Sequence, residues 1–367
     1  MDNKRRSLRF WLITGSSLAV LLGVIGLTTA RYLAQSQLEH YAERFLLLSS
    51  LRKEALESYF DTVRAEITFW SLNESLLDKQ AQARRHLETY RTSRDKKAAS
   101  VDYEFAMSAL LSELRVLARL FVSVRGYYDF FLISREGDVF FTIKKETDLG
   151  TNLETGPWRE TGLADVYRRA LESGREGGVV FSDLEPYPPS NGEPAMFAAR
   201  AMVDADGEML GILALQLPTE RIRSIMQFTA GMGESGETYV VGEDYLMRSD
   251  SRFSQDSTIL RVEVDTESVK QALEGNSGSL FTPDYRGVMV LSAYTATDID
   301  GFRWAVLAEI DKDEVLKTVS SKRPVIAGLM FLLYTLALWS FWYIRGGEGG
   351  GSEPLPEMAS DTDYPSE

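Results

Sequence analysis

Residues 127–143 read YYDFFLISREGDVFFTI. Two runs rich in aromatic and β-branched residues, 127–133 and 139–143, flank the polar segment Ser134-Arg135-Glu136-Gly137-Asp138. Such side chains suit a pleated, half-buried surface. A polar loop with a glycine free to take a left-handed conformation lets the chain reverse. The stretch predicts an antiparallel β-hairpin, and it marks where helical periodicity gives way to strands.

On its N-terminal side, residues 31–95 contain neither Gly nor Pro and are rich in Leu, Glu, Arg and Ala, which predicts helix. Leu47, Leu51, Leu56, Phe60 and Val63 form an apolar stripe that needs a partner surface, either elsewhere in the same chain or across a homodimer seam along 31–95. A second helix is expected over 103–124. On the C-terminal side, 163–172 reads as a short helix and 179–181, 195–203 and 209–217 as strands. Asp204-Ala205-Asp206-Gly207 turns between the last two; it lacks the other ligands of a calcium loop and reads as a plain turn. After a connecting helix at 218–228 the order repeats: strand 237–241, helix 266–274, strands 279–282, 288–294 and 302–309, then a helix from 311 to 321. Two related modules in tandem account for so long a middle region better than one oversized domain.

The ends of the chain differ in kind. Residues 10–30 and 325–344 carry no charge, and at ~1.5 Å per residue each spans a hydrocarbon layer of ~30 Å. Lys4, Arg5, Arg6 and Arg9 precede the first run, which places the N-terminus in the cytoplasm. The expected organisation is a cytoplasmic N-terminus (1–9), a first span (10–30), a helical stalk (31–126), a first module (127–230), a second module (231–312), a juxtamembrane helix (313–324), a second span (325–344) and an acidic cytoplasmic tail (345–367). That tail, rich in Gly and Pro, is expected to stay disordered and to hold no folded output domain.

The chain has 367 residues, 44% of them hydrophobic, and a net charge of −14. That balance argues against nucleic acid as a partner. With no Cys, disulfides, thiolate metal sites and thiol nucleophiles are excluded. Gly231-Met232-Gly233-Glu234-Ser235-Gly236 spells the dinucleotide fingerprint, yet a predicted helix precedes it and a strand follows, the reverse of the order that phosphate binding needs. It reads as a glycine-rich connection. The two histidines, His40 and His86, lack ligand spacing. No catalytic constellation, metal site or cofactor motif stands out, so an enzyme is not expected. Aromatic walls with a few polar anchors are the ingredients of a small-molecule pocket. The first module supplies Tyr128, Phe130, Trp158, Tyr187 and Phe197 as walls, and Arg159, Asp183, Arg200 and Gln216 as anchors.

Several segments together resemble the double-Cache sensor domains of bacterial chemoreceptors and transmembrane kinases and cyclases. They are residues 127–143 with DLGTNL (148–153), VVFSDLEPYPPSNGEPA (179–195) with LGILALQLP (210–218), GESGETYVVGEDYLMRSDSRF (233–253), VDTESVKQALEG (264–275), DYRGVMVLSAY (284–294) and FRWAVLAEID (302–311). The resemblance covers roughly 121–311. It implies an α+β fold: a long N-terminal helix beside two tandem PAS-like, antiparallel-sheet Cache modules, flanked by two transmembrane helices. It also implies a ligand in the membrane-distal first module and a periplasmic or extracellular location, held in the bacterial inner membrane. The family's amino-acid grip is Arg-x-Trp-Tyr, then Tyr-x-Asp, then a later Asp. Here Trp158 matches the Trp, Gly156 stands at the Arg, Phe181-Ser182-Asp183 corresponds to Tyr-x-Asp, and Gln216 replaces the last Asp. Asp183 thus keeps an ammonium contact while the carboxylate clamp is lost. The function expected is a membrane-anchored small-molecule sensor that signals through a separate protein; the alternative is a solute-binding or scaffold subunit of an envelope complex.

Overall fold

The structure is a computed structural model that describes residues 2–174, 177–320 and 323–347. It divides into two compact units, residues 41–314 and the terminal segments up to 40 and from 315 onward.

In the central unit, α1 (Asp2–Ser71) continues to Ser71 and is followed by α2 (Glu74–Thr92) and α3 (Lys96–Arg125). The single helix expected over 31–95 is therefore interrupted. Asn73 is the cause: it leaves helical geometry, and its side chain accepts the Leu76 N–H at 3.1 Å, capping α2. The apolar stripe divides as well. Leu56, Phe60 and Val63 are buried in the chain's own core, with Ile67 continuing the row, whereas Leu47 and Leu51 remain exposed.

The 127–143 stretch forms the expected hairpin, β1 (Asp129–Ser134) with β2 (Val139–Thr142). Gly137 takes φ +91° in its turn, which a Cβ would resist. The remaining strands of this sheet are β3 (Val180–Phe181), β4 (Glu185–Tyr187), β5 (Glu193–Val203) and β6 (Met209–Leu217). Their order is β2-β1-β6-β5-β3, with β4 paired to β5. Strand β4 and the 3-10 turn Pro188–Ser190 escaped the sequence reading because Pro186, Pro188 and Pro189 make the segment look like loop; the strand lies at the margin of the sheet, where proline is tolerated. The second sheet is β7 (Glu237–Val241), β8 (Gly278–Pro283), β9 (Met289–Ile299) and β10 (Phe302–Asp311), in the order β7-β10-β9-β8.

The two sheets share one topology. In each, the first strand pairs with the last, the last with the one before it, and that strand with an earlier edge strand. Strict side-chain alternation gives every strand two faces. One face of both sheets joins α1, α2 and α3 in a shared core that includes Leu56, Phe60, Leu110, Leu132, Leu213, Trp304 and Val306. The other face of the first sheet is covered by α4 (Gly162–Ser173), with Phe131, Tyr167, Phe197 and Ile212. The corresponding face of the second sheet is covered by α6 (Glu267–Leu273), with Tyr239, Val269 and Leu307.

Helix α5 (Thr219–Met226) precedes the glycine-rich segment and β7 follows it, so 231–236 is a connection. Gly231 and Gly233 adopt positive φ, and the backbone N–H groups of Glu234 and Ser235 donate to the Glu314 carboxylate at 3.0 and 2.8 Å. The turn at 204–207 is closed by the Glu208 N–H donating to Asp204 Oδ1 at 2.8 Å.

In the terminal unit, one helix among the described residues is long and apolar enough to cross a membrane, the stretch of α1 beginning at Ile13. Helix α7 (Lys312–Ser320), the helix expected from 311 onward, is followed by α8 (Arg323–Gly347), which contains a shorter apolar run, Ala327–Ser340. The acidic tail lies outside the described residues from 348 onward.

Candidate ligand-binding site

The end of the first sheet where β1, β6 and β5 run side by side is polar on its α4 face. Asp129, Gln216 and Phe197 are in register across the three strands. The loop after β2 adds Glu146 and Asp148, and the β4 hairpin adds Tyr187 and Ser190.

These side chains form one linked group. The Tyr187 hydroxyl donates to Asp148 Oδ2 at 2.6 Å and its ring meets Phe197 edge-on at 4.9 Å. Ser190 and Tyr128 both donate to Glu146, at 2.6 and 2.9 Å. Gln216 reaches Ser190 through its Nε2 at 3.5 Å. Trp158 packs against the same cluster and donates from Nε1 to the Thr147 carbonyl at 3.2 Å. Two acceptors in this group, Asp148 Oδ1 and Gln216 Oε1, are buried with no donor among the described residues. Buried polar atoms are nearly always paired, and an orphan costs about 1–3 kcal/mol. Burial pushes the Asp148 carboxyl above its ordinary range, while the Tyr187 hydrogen bond opposes the rise.

Asp129 has a different part. Its Oδ1 accepts the N–H groups of Phe130, Ile143 and Lys144 at 2.7, 2.8 and 3.2 Å, and its Oδ2 accepts the Thr142 hydroxyl. It fastens the chain as β2 leaves the sheet. Burial still pushes its carboxyl from the usual 3.8 up to about 6, the four hydrogen bonds opposing the rise. A carboxyl whose folded value exceeds its unfolded one contributes stability below the unfolded value and loses it as pH climbs through the folded value. This group's contribution is therefore expected to fall between about pH 4 and pH 6, and Asp129→Asn to remove that component of the slope. Urea unfolding across that range checks it; an identical slope in wild type and variant refutes the assignment.

The residues picked out from sequence do not all converge. Tyr128, Trp158, Tyr187, Phe197 and Gln216 belong to this group. Phe130 lies on the opposite face of β1, at 6.2 Å from Phe141 in the helix-side core. Arg200, which alternates with Ala199 and Ala201, shares that helix-side face with Ala198 and Met202. Arg159 is exposed and turns to Glu160 at 3.4 Å. Asp183, expected to meet a ligand ammonium, instead receives Arg248 from the segment after β7 and the Trp304 indole N–H from β10, at 2.8 Å each. Glu146, Asp148 and Ser190 were not singled out. The acidic pair in ETDLG and the serine after two prolines are ordinary loop spellings, and only the closure of two loops over one sheet brings them together.

Two antiparallel sheets, each braced on one face by long helices and covered on the other by a short one, are the architecture of tandem sensory modules. The chain belongs to the Cache-domain family: the double-Cache model of that family matches residues 34–319. No curated protein matches the sequence. Among solved structures, the chain is similar to the ligand-binding domain of the Campylobacter jejuni chemoreceptor Tlp3 in complex with L-valine. Identity is 12%, coverage 77% of this chain and 98% of that one, and the TM-score 0.50. The sensory domain of the same chemoreceptor in another crystal structure gives 11% identity, 78% and 99% coverage, and a TM-score of 0.50.

Proposed function

We propose that this chain is a membrane-anchored, extracytoplasmic small-molecule sensor whose ligand presents an ammonium group to the α4 face of the first sheet. The observation that carries this reading is the pair of donor-less, buried acceptors, Asp148 Oδ1 and Gln216 Oε1. An ammonium has three donors and no acceptor, and Tyr187, Phe197 and Trp158 supply the aromatic surface that a cation favours. The Tlp3 domain of similar fold was crystallised with L-valine, which carries such a group. A carboxylate on the same ligand would need a cation. Arg159 and Arg200 are directed elsewhere, and Lys144 is the basic group beside Tyr128, its Nζ 4.3 Å from the ring centroid. Lys144 is therefore the group available to a ligand carboxylate, and both simple amines and amino acids fit the class.

The anchoring is supported by apolar side chains exposed on both terminal helices, Val20, Leu27, Phe331 and Leu332 among them, a surface that suits lipid and not water. In this reading residues 10–30 and 325–344 are the spans, both termini are cytoplasmic, 127–230 is the distal module and 231–312 the proximal one. A ligand shifts such a protein only by binding two states unequally. The receiver of that shift is a separate membrane partner.

A thermal-shift screen of the full chain in detergent, with simple amines and amino acids as probes, tests the site. A bound amine raises apparent stability by mass action. Gln216→Leu and Asp148→Asn are each expected to weaken binding roughly 10- to 100-fold, from the ~1.5–3 kcal/mol of a hydrogen bond to a charged group. An amine bound equally well by both variants overturns the assignment.

A further inference from the structure

The second sheet repeats the three-strand register of the first with different chemistry. Where the first sheet aligns Asp129, Gln216 and Phe197, the second aligns Glu237, Glu309 and Ser292. Asp284, in the turn between β8 and β9, joins them. Among the described residues, Glu237, Asp284 and Glu309 bring one carboxylate oxygen each within 4.8 Å of one another. All three are buried, at 1%, 5% and 1% exposure.

We propose that this cluster is a second binding site, built for a single divalent cation of the Ca2+ type.

Charge, unmet valence and size all favour a bound cation. Arg286 donates from Nε to Asp284 at 2.6 Å, but its Nη2 is shared with Asp311 at 2.8 Å, so one guanidinium faces more carboxylates than it can balance. Buried carboxylates without a compensating charge are costly. Tyr239 donates to Glu309 Oε2 at 2.8 Å, and Tyr285 and Ser251 donate to Glu237 at 2.8 and 2.9 Å, yet among the described residues Glu309 Oε1 has no partner within 3.5 Å, the Ser292 hydroxyl being the polar group that faces it. Ser292 is fully buried and stands opposite Glu309 across the strand pair, and its Oγ, turned to that carboxylate, makes no hydrogen bond within 3.5 Å among the described residues. The gap between the serine hydroxyl and the carboxylate leaves both oxygens free to turn to a hard cation. Oxygens on opposite sides of Ca2+, at 2.3–2.6 Å each, stand about 4.6–5.2 Å apart, which accommodates the spacing seen here. Mg2+ needs ~2.0–2.1 Å and retains several waters, which a buried all-protein cage does not readily hold. With Arg286 adjacent, the affinity expected is that of extracellular calcium modules, Kd about 10⁻⁴–10⁻³ M.

The test uses the full chain in detergent, stripped with EDTA and titrated with CaCl2 or MgCl2 by calorimetry and thermal unfolding. One Ca2+ per chain is expected, with a rise in Tm that Mg2+ at the same concentration does not reproduce. Glu309→Gln and Glu237→Gln are each expected to weaken Ca2+ binding at least 10-fold, and in EDTA Glu309→Gln is expected to be as stable as wild type or more so, because one buried charge is gone. Direct measurement of Ca2+ bound to wild type keeps the proposal testable if a variant fails to fold. Absence of stoichiometric Ca2+ binding overturns it, as does an equal response in Glu309→Gln. So does a gain of stability in Glu309→Gln with no Ca2+ effect on wild type, which would mean that the carboxylates share a proton instead. A Tm rise of equal size with Mg2+ overturns the Ca2+ assignment.

Discussion

Replacing Arg248 with Met is expected to cost the fold about 3 kcal/mol, because a buried ion pair that loses one partner leaves the other charge uncompensated. The Arg248 side chain is only 4% exposed. It donates from Nε and Nη2 to the two oxygens of Asp183 at 3.1 and 2.8 Å, and from Nη1 and Nη2 to Asp244 at 2.8 and 3.0 Å. Planar two-point pairing of this kind is what a guanidinium does and an ammonium cannot, so Lys is expected to rescue little. Asp244 is 47% exposed and recovers water when Arg248 is removed; Asp183 is 22% exposed and recovers less. Most of the loss should therefore track Asp183, and the double variant Arg248→Met/Asp183→Leu should regain a good part of it. Denaturant unfolding of the four proteins in the cycle gives the coupling directly. A cost below about 1 kcal/mol for Arg248→Met, the size of an exposed pair, would show that the fork is not holding the sheets together. Because this pair links the loop after β3 to the segment after β7, the binding proposed at Gln216 and Asp148 is expected to survive in any variant that remains folded.

Phe60→Ala is expected to cost about 3–5 kcal/mol, the range for deleting a buried aromatic side chain. Phe60 is 1% exposed on α1 and meets Phe181 of the first sheet edge-on at 5.6 Å and Trp304 of the second at 5.9 Å. It therefore packs one helix against both sheets at once, and Arg64 one turn on lies over the same Phe181 ring at 5.0 Å. The cavity left by Ala would open at the meeting point of three elements, where relaxation of one cannot close it. Leu47→Ala is the control: that side chain is 60% exposed and the change should stay within about 0.5 kcal/mol. Equal effects from the two substitutions would mean that Phe60 is not a core residue.

Much of this fold was legible in the order of residues. The hairpin at 127–143, the strands at 195–203 and 209–217, the turn between them and the second strand-helix-strand unit follow from alternation and turn chemistry, which act over a few residues. The interruption at Asn73 was missed because a capping residue inside a helix-rich run is a weak local signal against strong propensity on both sides. Strand β4 was missed because Pro186 within it and Pro188 and Pro189 just after it make the segment look like loop; what makes it a strand is its pairing to β5, a contact that local composition does not encode.

The candidate site divides in the same way. Tyr187, Phe197, Trp158 and Gln216, chosen from residue type and approximate position, fall into one group in the structure. Face was harder. Phe130 and Phe131 are neighbours in the chain, yet one packs under the helices and the other under α4, since a strand alternates and a single residue of register decides the side. Asp183 looked like a ligand anchor until the segment after β7 and strand β10 supplied Arg248 and Trp304, residues 65 and 121 positions away. By itself the sequence determined the alternating apolar patterns, the charge-free ends, the lack of thiol chemistry and the repeated module order, all properties read along the chain. Only the tertiary structure decided which polar groups are left without partners, because whether Asp148, Gln216, Glu309 and Ser292 are satisfied depends on atoms contributed by distant loops and strands.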